Sequence, residues 1–151
     1  DIVPGHTCRG GAVRVALKQH SVEHIVPFHD TDAMQVVWHG NYLKYFEMAR
    51  DALFAEAGVQ LFRFHETSGF LFPITRTSTK HIHPLRYHDR FVCTARLVEC
   101  RRKIVLEYEV RLAEGDILCA RGTSEQVAIR SRDFLLQLTI PDAIRQALGY
   151  L

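Results

Sequence analysis

Two carboxylates and one imidazole lie close together in the chain, at Asp30, Asp32 and His39. A carboxylate can attack a carbonyl carbon or take a proton from water, and an imidazole exchanges protons near neutral pH. Taken alone, an Asp-Thr-Asp sequence is more typical of a turn in which the Asp side chains cap backbone amides. Asp30 is expected to hold such a turn. Asp32 is followed by an apolar run interrupted only by Gln35, a setting that suits carbonyl chemistry.

The connector that carries these residues joins a strand to a helix. Val22 to Phe28 alternates in polarity, and apolar residues from about Asn41 to Ala57 recur every three or four positions. Asn41 is predicted to be the N-cap, because its side-chain oxygen can accept a hydrogen bond from an amide two or three residues later. The free amides and the positive end of the helix dipole would then face the segment that carries Asp32.

The rest of the chain supplies a sheet for this helix. Gly58 is predicted to end the helix, and residues 59–69 form a second short helical or loop segment. The apolar period then changes to two, which predicts four strands, at about 71–83, 90–100, 104–113 and 117–130. A last short helix, Ala143 to Leu148, follows Pro141. One strand, one long helix and four consecutive antiparallel strands predict an α+β fold with one central helix.

The connector and the helix carry a recognisable pattern. The residues that match it are Asp30, Asp32, Val37, His39, Asn41, Tyr42, Phe46, Glu47 and Arg50. In this pattern the chain resembles the acyl-CoA thioesterases of the hot-dog fold, the 4-hydroxybenzoyl-CoA thioesterase-like family. It departs from the family at Gln35, where the pattern has Gly. If the backbone there needs a positive φ, Gln carries a strain that Gly would relieve.

The resemblance implies a five-stranded antiparallel sheet wrapped around the long helix. It implies hydrolysis of an acyl-CoA or acyl carrier protein thioester without a further cofactor. Asp32 would act as nucleophile or general base. His39 is the second catalytic candidate, mainly through the backbone amides around it, which would polarise the thioester carbonyl. Family homodimers join their sheets edge to edge, so a homodimer or homotetramer with the site between protomers is expected.

Several further residues are candidates for substrate binding. Trp38, Tyr42 or Phe46 is predicted to line an apolar acyl cleft, and Asn41 to touch the substrate besides capping the helix. Gln35 has either a side-chain role towards the substrate or no role beyond being tolerated. Arg101, Arg102 and Lys103 form a hairpin turn that either binds the phosphates of coenzyme A or an acidic carrier, or is only a solvated turn.

Two other functions remain as alternatives. A hydroxyacyl dehydratase of the same fold would need a His in a Pro/Gly-rich loop and an acid on the helix, and only Glu47 meets that pattern. A non-catalytic acyl-thioester-binding protein is supported only by the departure at Gln35. No metal is predicted, because His81, His83, His88 and Asp89 lack a partner that completes a zinc set and are better explained as surface or interface residues.

Composition bounds the class of protein. A chain of 151 residues forms one domain, with residues 21–151 as the predicted hot-dog domain. Residues 1–20 are interpreted as an extension or a cloning remnant. A formal charge of +2 gives no indication of nucleic acid binding, and no apolar run approaches a membrane span. Four Cys without zinc-like spacing are typical of reduced thiols in a cytoplasmic protein.

Overall fold

A computed structural model describes residues 18–150 of the chain. It contains eight strands, three α-helices and one 3₁₀ turn. The strands are β1 (Gln19–Ile25), β2 (Phe70–Leu71), β3 (Ile74–His81), β4 (Arg90–Cys100), β5 (Ile104–Leu112), β6 (Leu118–Gln126), β7 (Ile129–Arg130) and β8 (Leu135–Leu136). The helices are α1 (Asn41–Glu56), α2 (Leu61–Ser68) and α3 (Asp142–Ala147), and the 3₁₀ turn is Phe28–Asp30.

Five strands form one antiparallel sheet in the order β1-β4-β5-β6-β3. The predicted α+β fold, a five-stranded antiparallel sheet with one long helix, is confirmed. Two predicted strands were too long. The segment 71–83 is divided into β2 and β3 around Pro73, which has no N–H to donate to a ladder. The segment 117–130 is divided into β6 and β7, and β2, β7 and β8 form a small second sheet that the sequence did not predict.

The helix α1 packs across the inner face of the large sheet. The ring of Tyr45 lies 4.7 Å from that of Phe91, and Phe46 stacks on Tyr108 with 4.6 Å between ring centroids. Gly122 on β6 makes this contact possible, because a Cβ at that position would come within 2.3 Å of the Phe46 ring. The alternating apolar residues of the central strands therefore enclose one side of α1. Gly58 follows the helix with a φ of 77°, as predicted for its C-terminal stop.

The thiols of the sheet are enclosed. Cys93, Cys100 and Cys119 are buried and free, and burial raises the pKa of Cys93 and Cys100 to about 12. No helix between residues 18 and 150 is long and apolar enough to cross a membrane. The strand β1 already begins at Gln19, inside the segment that was interpreted as an extension. Residues 1–17, including Cys8, lie outside the described part of the chain, so the interpretation of their origin stays a prediction.

Candidate active site

The carboxylate of Asp30 holds the connector onto α1. It is only 2% exposed, and it accepts hydrogen bonds from Lys44 Nζ at 2.5 Å and from Tyr45 Oη at 2.6 Å. Burial alone would raise the pKa of Asp30. The hydrogen bonds from Lys44 and Tyr45 and the charge of Lys44 outweigh burial, so the pKa lies below its ordinary value. Asp30 therefore stays ionised, and it holds two elements together rather than a local turn.

The backbone of Asp30 fixes the start of α1 as well. Its carbonyl oxygen accepts from Trp38 N at 3.0 Å and from Asn41 Nδ2 at 2.8 Å. The prediction that Asn41 caps the helix is therefore wrong. Asn41 is the first helical residue, Gly40 precedes it without a side-chain cap, and the Asn41 amide turns back to the connector. The sequence missed this because the acceptor lies eleven residues away and is a main-chain atom.

Asp32 opens a tight hairpin loop of three residues. Asp32 N donates to Val36 O and Gln35 N donates to Asp32 O, both at 2.9 Å. One carboxylate oxygen of Asp32, Oδ1, accepts from Met34 N at 2.8 Å, so the turn holds the side chain in place. Its other oxygen, Oδ2, has no hydrogen-bond donor among residues 18–150. The loop therefore presents one free oxygen of a fixed carboxylate.

Gln35 has the backbone conformation that the family pattern implied. Its φ is 64°, in the left-handed region that favours glycine. A three-residue hairpin loop commonly ends in such a residue, because the chain must turn back into the ladder there. The side chain of Gln35 is exposed and does not line the cleft beside Asp32. Of the two alternatives for Gln35, a residue that is only tolerated is therefore the one that we expect.

Gln35→Gly should raise the free energy of unfolding by about 1 kcal/mol, since a left-handed conformation costs a residue with a Cβ roughly that much. Gln35→Ala is the matched control, because it removes the same side chain and keeps the strain. Urea unfolding should separate the two variants. We expect kcat to be unchanged in both, and an equal fall in both would instead show a contact between Gln35 and the substrate.

A cleft of about 270 Å³ opens beside Asp32, between the start of α1 and the end of β3. Its lining residues are Asp32, Met34, Val36, Val37, His39, Tyr42, His81, Ile82, His83 and Pro84. Three residues predicted for the site, Asp32, His39 and Tyr42, are thus brought together. The ring of His81 lies 4.8 Å from Tyr42 and 6.4 Å from His39. Burial raises the pKa of Tyr42 to about 12, so its hydroxyl stays neutral.

Within residues 18–150, the backbone at the start of α1 has unpaired hydrogen-bond donors next to this cleft, which His39 lines. Trp38 N donates to Asp30 O and Asn41 N donates to Trp38 O at 2.9 Å. Between them, the N–H groups of His39 and Gly40 find no acceptor within the part of the chain that the structure describes. Free amides at a helix start carry partial positive charge. They suit an oxygen on which negative charge develops.

Other predicted substrate-binding residues do not line the cleft. Trp38 is half exposed and its ring covers the backbone of Gly40, where a Cβ would come within 2.2 Å of it. Phe46 belongs to the core under α1, which corrects its placement in an acyl cleft. The hairpin Arg101-Arg102-Lys103 joins β4 to β5 at the opposite end of the sheet from His81. Within one protomer this hairpin is separated from Asp32.

His81 and His83 are the titratable residues of the cleft that were not predicted for the site. Their spacing of two already indicated a shared strand face, but nothing in the sequence indicated that this face meets the start of α1. Among residues 18–150, no group of three or more His, Cys, Asp or Glu is arranged to hold a metal ion. That the protein needs no metal and no further cofactor stays a prediction from the sequence.

A larger cavity, of about 550 Å³, lies on the face of the sheet that points away from α1. It is lined by hydroxyl and charged side chains, and several of them already pair with each other. Ser78 bonds to Thr123 at 2.6 Å, and Arg96 forms an ion pair with Glu107. It contains neither a free carboxylate held by a turn nor a helix start, so the smaller cleft is the better candidate for chemistry.

The sequence and the fold are similar to those of known proteins. The family model of the Thioesterase-like superfamily matches residues 26–148, which is most of the chain. The match includes the connector, α1 and four of the five strands of the large sheet, and it leaves out β1. The chain belongs to this superfamily. The hot-dog fold and the family resemblance predicted from the sequence are therefore confirmed, and the prediction of a thioester hydrolase agrees with the names of related proteins.

Two related sequences and one related crystal structure show which proteins the chain is similar to. A 1,4-dihydroxy-2-naphthoyl-CoA hydrolase of Thermosynechococcus vestitus is 38% identical over 69 residues, which cover 46% of this chain and about half, 47%, of that protein. YneP of Bacillus subtilis, assigned as an acyl-CoA thioesterase, is 28% identical over 72% of this chain and 78% of its own. The crystal structure of a 1,4-dihydroxy-2-naphthoyl-CoA thioesterase from Synechocystis has a TM-score of 0.81 at 21% identity, covering 89% of this chain and 98% of that one.

Proposed function

We propose that the protein hydrolyses acyl-CoA thioesters to the free acid and coenzyme A. The observation that carries the proposal is the fixed carboxylate of Asp32, with one free oxygen, in a cleft beside the free amides of His39 and Gly40. Membership of the Thioesterase-like superfamily and the names of the relatives support the same chemistry.

The geometry suggests how the reaction proceeds. The thioester carbonyl oxygen accepts from the His39 and Gly40 amides, which stabilise the negative charge that grows there in the transition state. Asp32 either attacks the carbonyl carbon or takes a proton from an attacking water. The carbon–sulfur bond breaks and the thiolate of coenzyme A leaves. The protein mass during turnover separates the two roles, because only attack by Asp32 on the carbonyl carbon transiently adds the acyl group to the protein.

We propose a homodimer that forms through the edge strand β3. Seven of its eight residues are exposed, which means that neither α1 nor another strand covers its inner face. An uncovered edge with free N–H and C=O groups is a template for a second strand. A two-fold axis through paired β3 strands satisfies both copies at once.

This dimer explains the position of the basic hairpin. Ile74 at the start of β3 and Ile104 after the hairpin both pair with Gln126, so the hairpin lies at the N-terminal end of β3. His81 and the Asp32 cleft lie at its C-terminal end. Antiparallel pairing of two β3 strands sets the N-terminal end of one beside the C-terminal end of the other. The hairpin of each protomer therefore approaches the cleft of its partner, where its charges can bind the phosphates of coenzyme A.

A mixing experiment tests the shared site. One variant carries Asp32→Asn, and the other carries Arg101→Gln, Arg102→Gln and Lys103→Gln. Each alone should have low kcat/KM. Co-expression should restore about a quarter of the wild-type value, because half of the dimers are mixed and each mixed dimer contains one intact site. No restoration, or an active monomer by light scattering at micromolar concentration, would contradict the shared site.

The carrier and the acyl group are tested by thiol release. We propose coenzyme A as the carrier, since the basic hairpin suits its phosphates, and the cytoplasm as the compartment, since three buried thiols are reduced. A panel of aryl-CoA and aliphatic acyl-CoA esters should release thiol, with acyl-pantetheine and acyl carrier protein for comparison. No release from any of them would contradict the proposed function.

The dehydratase alternative finds no support in the cleft. Glu47, the acid on the helix, does not line it, and its carboxylate lies 3.8 Å from Arg50 with a side chain that is 63% exposed.

A further inference from the structure

The end of β3 departs from regular pairing where it meets the cleft. Ile82 N and His83 N both donate to the same carbonyl oxygen, that of Cys119, at 2.8 and 3.0 Å. Two residues opposite one constitute a β-bulge, which bends a strand and re-aims its side chains. Three successive residues, His81, Ile82 and His83, line the cleft, whereas the side chains of a regular strand alternate between its two faces.

The ring of His83 is oriented by a main-chain contact. Its Nδ1 lies 3.0 Å from Pro84 O. A carbonyl oxygen only accepts hydrogen bonds, so Nδ1 must carry the hydrogen of the neutral ring. The second nitrogen, Nε2, then has a free lone pair. A bond at one nitrogen that leaves the other as a base is the arrangement that proton transfer by an imidazole requires.

The other titratable groups of the cleft are less suited to this step. They are Asp32, His39, Tyr42 and His81. The hydroxyl of Tyr42 keeps its proton, because burial raises its pKa to about 12. The rings of His39 and His81 face aromatic rings, Trp38 at 5.1 Å and Tyr42 at 4.8 Å. Among the three histidines of the cleft, His83 has a hydrogen bond to a described residue that fixes its tautomer.

We propose that His83 is the general base that activates the hydrolytic water, with Asp32 as the nucleophile. The inference rests on the proposed function. In the first step an Asp32 oxygen bonds to the acyl carbon, the carbon–sulfur bond breaks and the thiolate leaves with the electron pair. In the second step water attacks the acyl carbon of the mixed anhydride and gives its proton to Nε2 of His83. The Asp32 carboxylate is released, and His83 returns the proton to the thiolate.

The test uses two variants of His83 and one control. His83→Asn keeps a donor that can reach Pro84 O but has no base. His83→Ala removes the ring and leaves space for added imidazole. His65→Gln, on α2, is the matched control, because it removes an imidazole outside the cleft. Each protein is mixed with an acyl-CoA substrate, thiol release is followed from the first turnover, and the protein mass is measured during turnover.

His83→Asn should lower steady-state kcat about a hundredfold, the contribution of a positioned general base. Its first turnover should stay fast, giving a burst of about one thiol per active site and a protein mass increased by the acyl group. Imidazole should restore part of the activity of His83→Ala. Near-wild-type kcat in His83→Asn, or an equal loss in the burst and the steady state, would overturn the inference. Wild-type protein that releases no thiol would overturn the proposed function itself.

Discussion

Asp32→Asn is expected to lower kcat by about a hundredfold or more, the scale of nucleophilic or general base catalysis, while KM changes little. Asn keeps the size of the side chain, and its Oδ1 can still accept from Met34 N, so the hairpin loop should remain intact. What is lost is the negative charge on the free oxygen. The interaction between this charge and the reacting carbonyl or water forms only in the transition state. Its loss should therefore lower kcat and leave KM nearly unchanged.

Asp116→Asn is a suitable control for this measurement. Asp116 also lies in a turn, with a positive φ of 50° that Asn tolerates, and its side chain is 82% exposed and does not line the cleft. It should keep wild-type kcat. If a folded Asp32→Asn protein kept most of its activity, the chemistry assigned to the cleft would be wrong.

Asp30→Ala is expected to cost about 3 kcal/mol of stability, because the buried Tyr45 hydroxyl loses a charged acceptor, whereas the half-exposed Lys44 can regain water. The loss leaves Lys44 Nζ and Tyr45 Oη without their acceptor at the base of the connector. For a domain of this size the melting temperature should fall by about 10 °C. Activity should fall too, because Asp30 holds the backbone between Asp32 and α1. Thermal unfolding of this variant beside Asp116→Asn checks the expectation, and an unchanged melting temperature would contradict it.

The Asp30 carboxylate also determines how the stability of the protein changes with pH. The pKa of Asp30 lies below its ordinary value in the folded protein. Its contribution is therefore complete above the pKa of the unfolded chain and is lost as the pH falls through the lower, folded pKa. The difference in unfolding free energy between wild-type protein and Asp30→Ala should be constant at neutral pH and narrow in acid. A difference that widens in acid would contradict the assigned ion pair.

The elements predicted best from the sequence are those whose bounds are set by their own alternation of apolar and polar residues. The strand β4 was predicted with its observed bounds and β5 with its observed start, because alternating residues on a half-buried strand have only one register that buries their apolar face. The start of α1 at Asn41 was also predicted. Only the reason given for it was wrong, since Asn41 bonds to Asp30 rather than to the helix amides.

What could not be predicted depends on contacts between distant parts of the chain. The cleft exists because β3 pairs with β6, roughly forty to fifty residues later, so that the end of β3 meets the start of α1. No local pattern contains that strand order. His83 was interpreted as a surface or interface residue; it is exposed, and it also lines the cleft. The side-chain hydrogen bonds of Asp30 likewise join positions fourteen and fifteen residues apart.

The most direct test of the central claim is the structure of Asp32→Asn with an intact acyl-CoA thioester. The account predicts that the thioester lies in the cleft, with its carbonyl oxygen about 2.7–3.1 Å from the amide of His39 or Gly40. The acyl carbon should lie about 3–3.5 Å from the Asn side chain, the distance of a reactive complex. A thioester bound elsewhere, for example on the far face of the sheet, or a carbonyl that points away from the start of α1, would contradict the account.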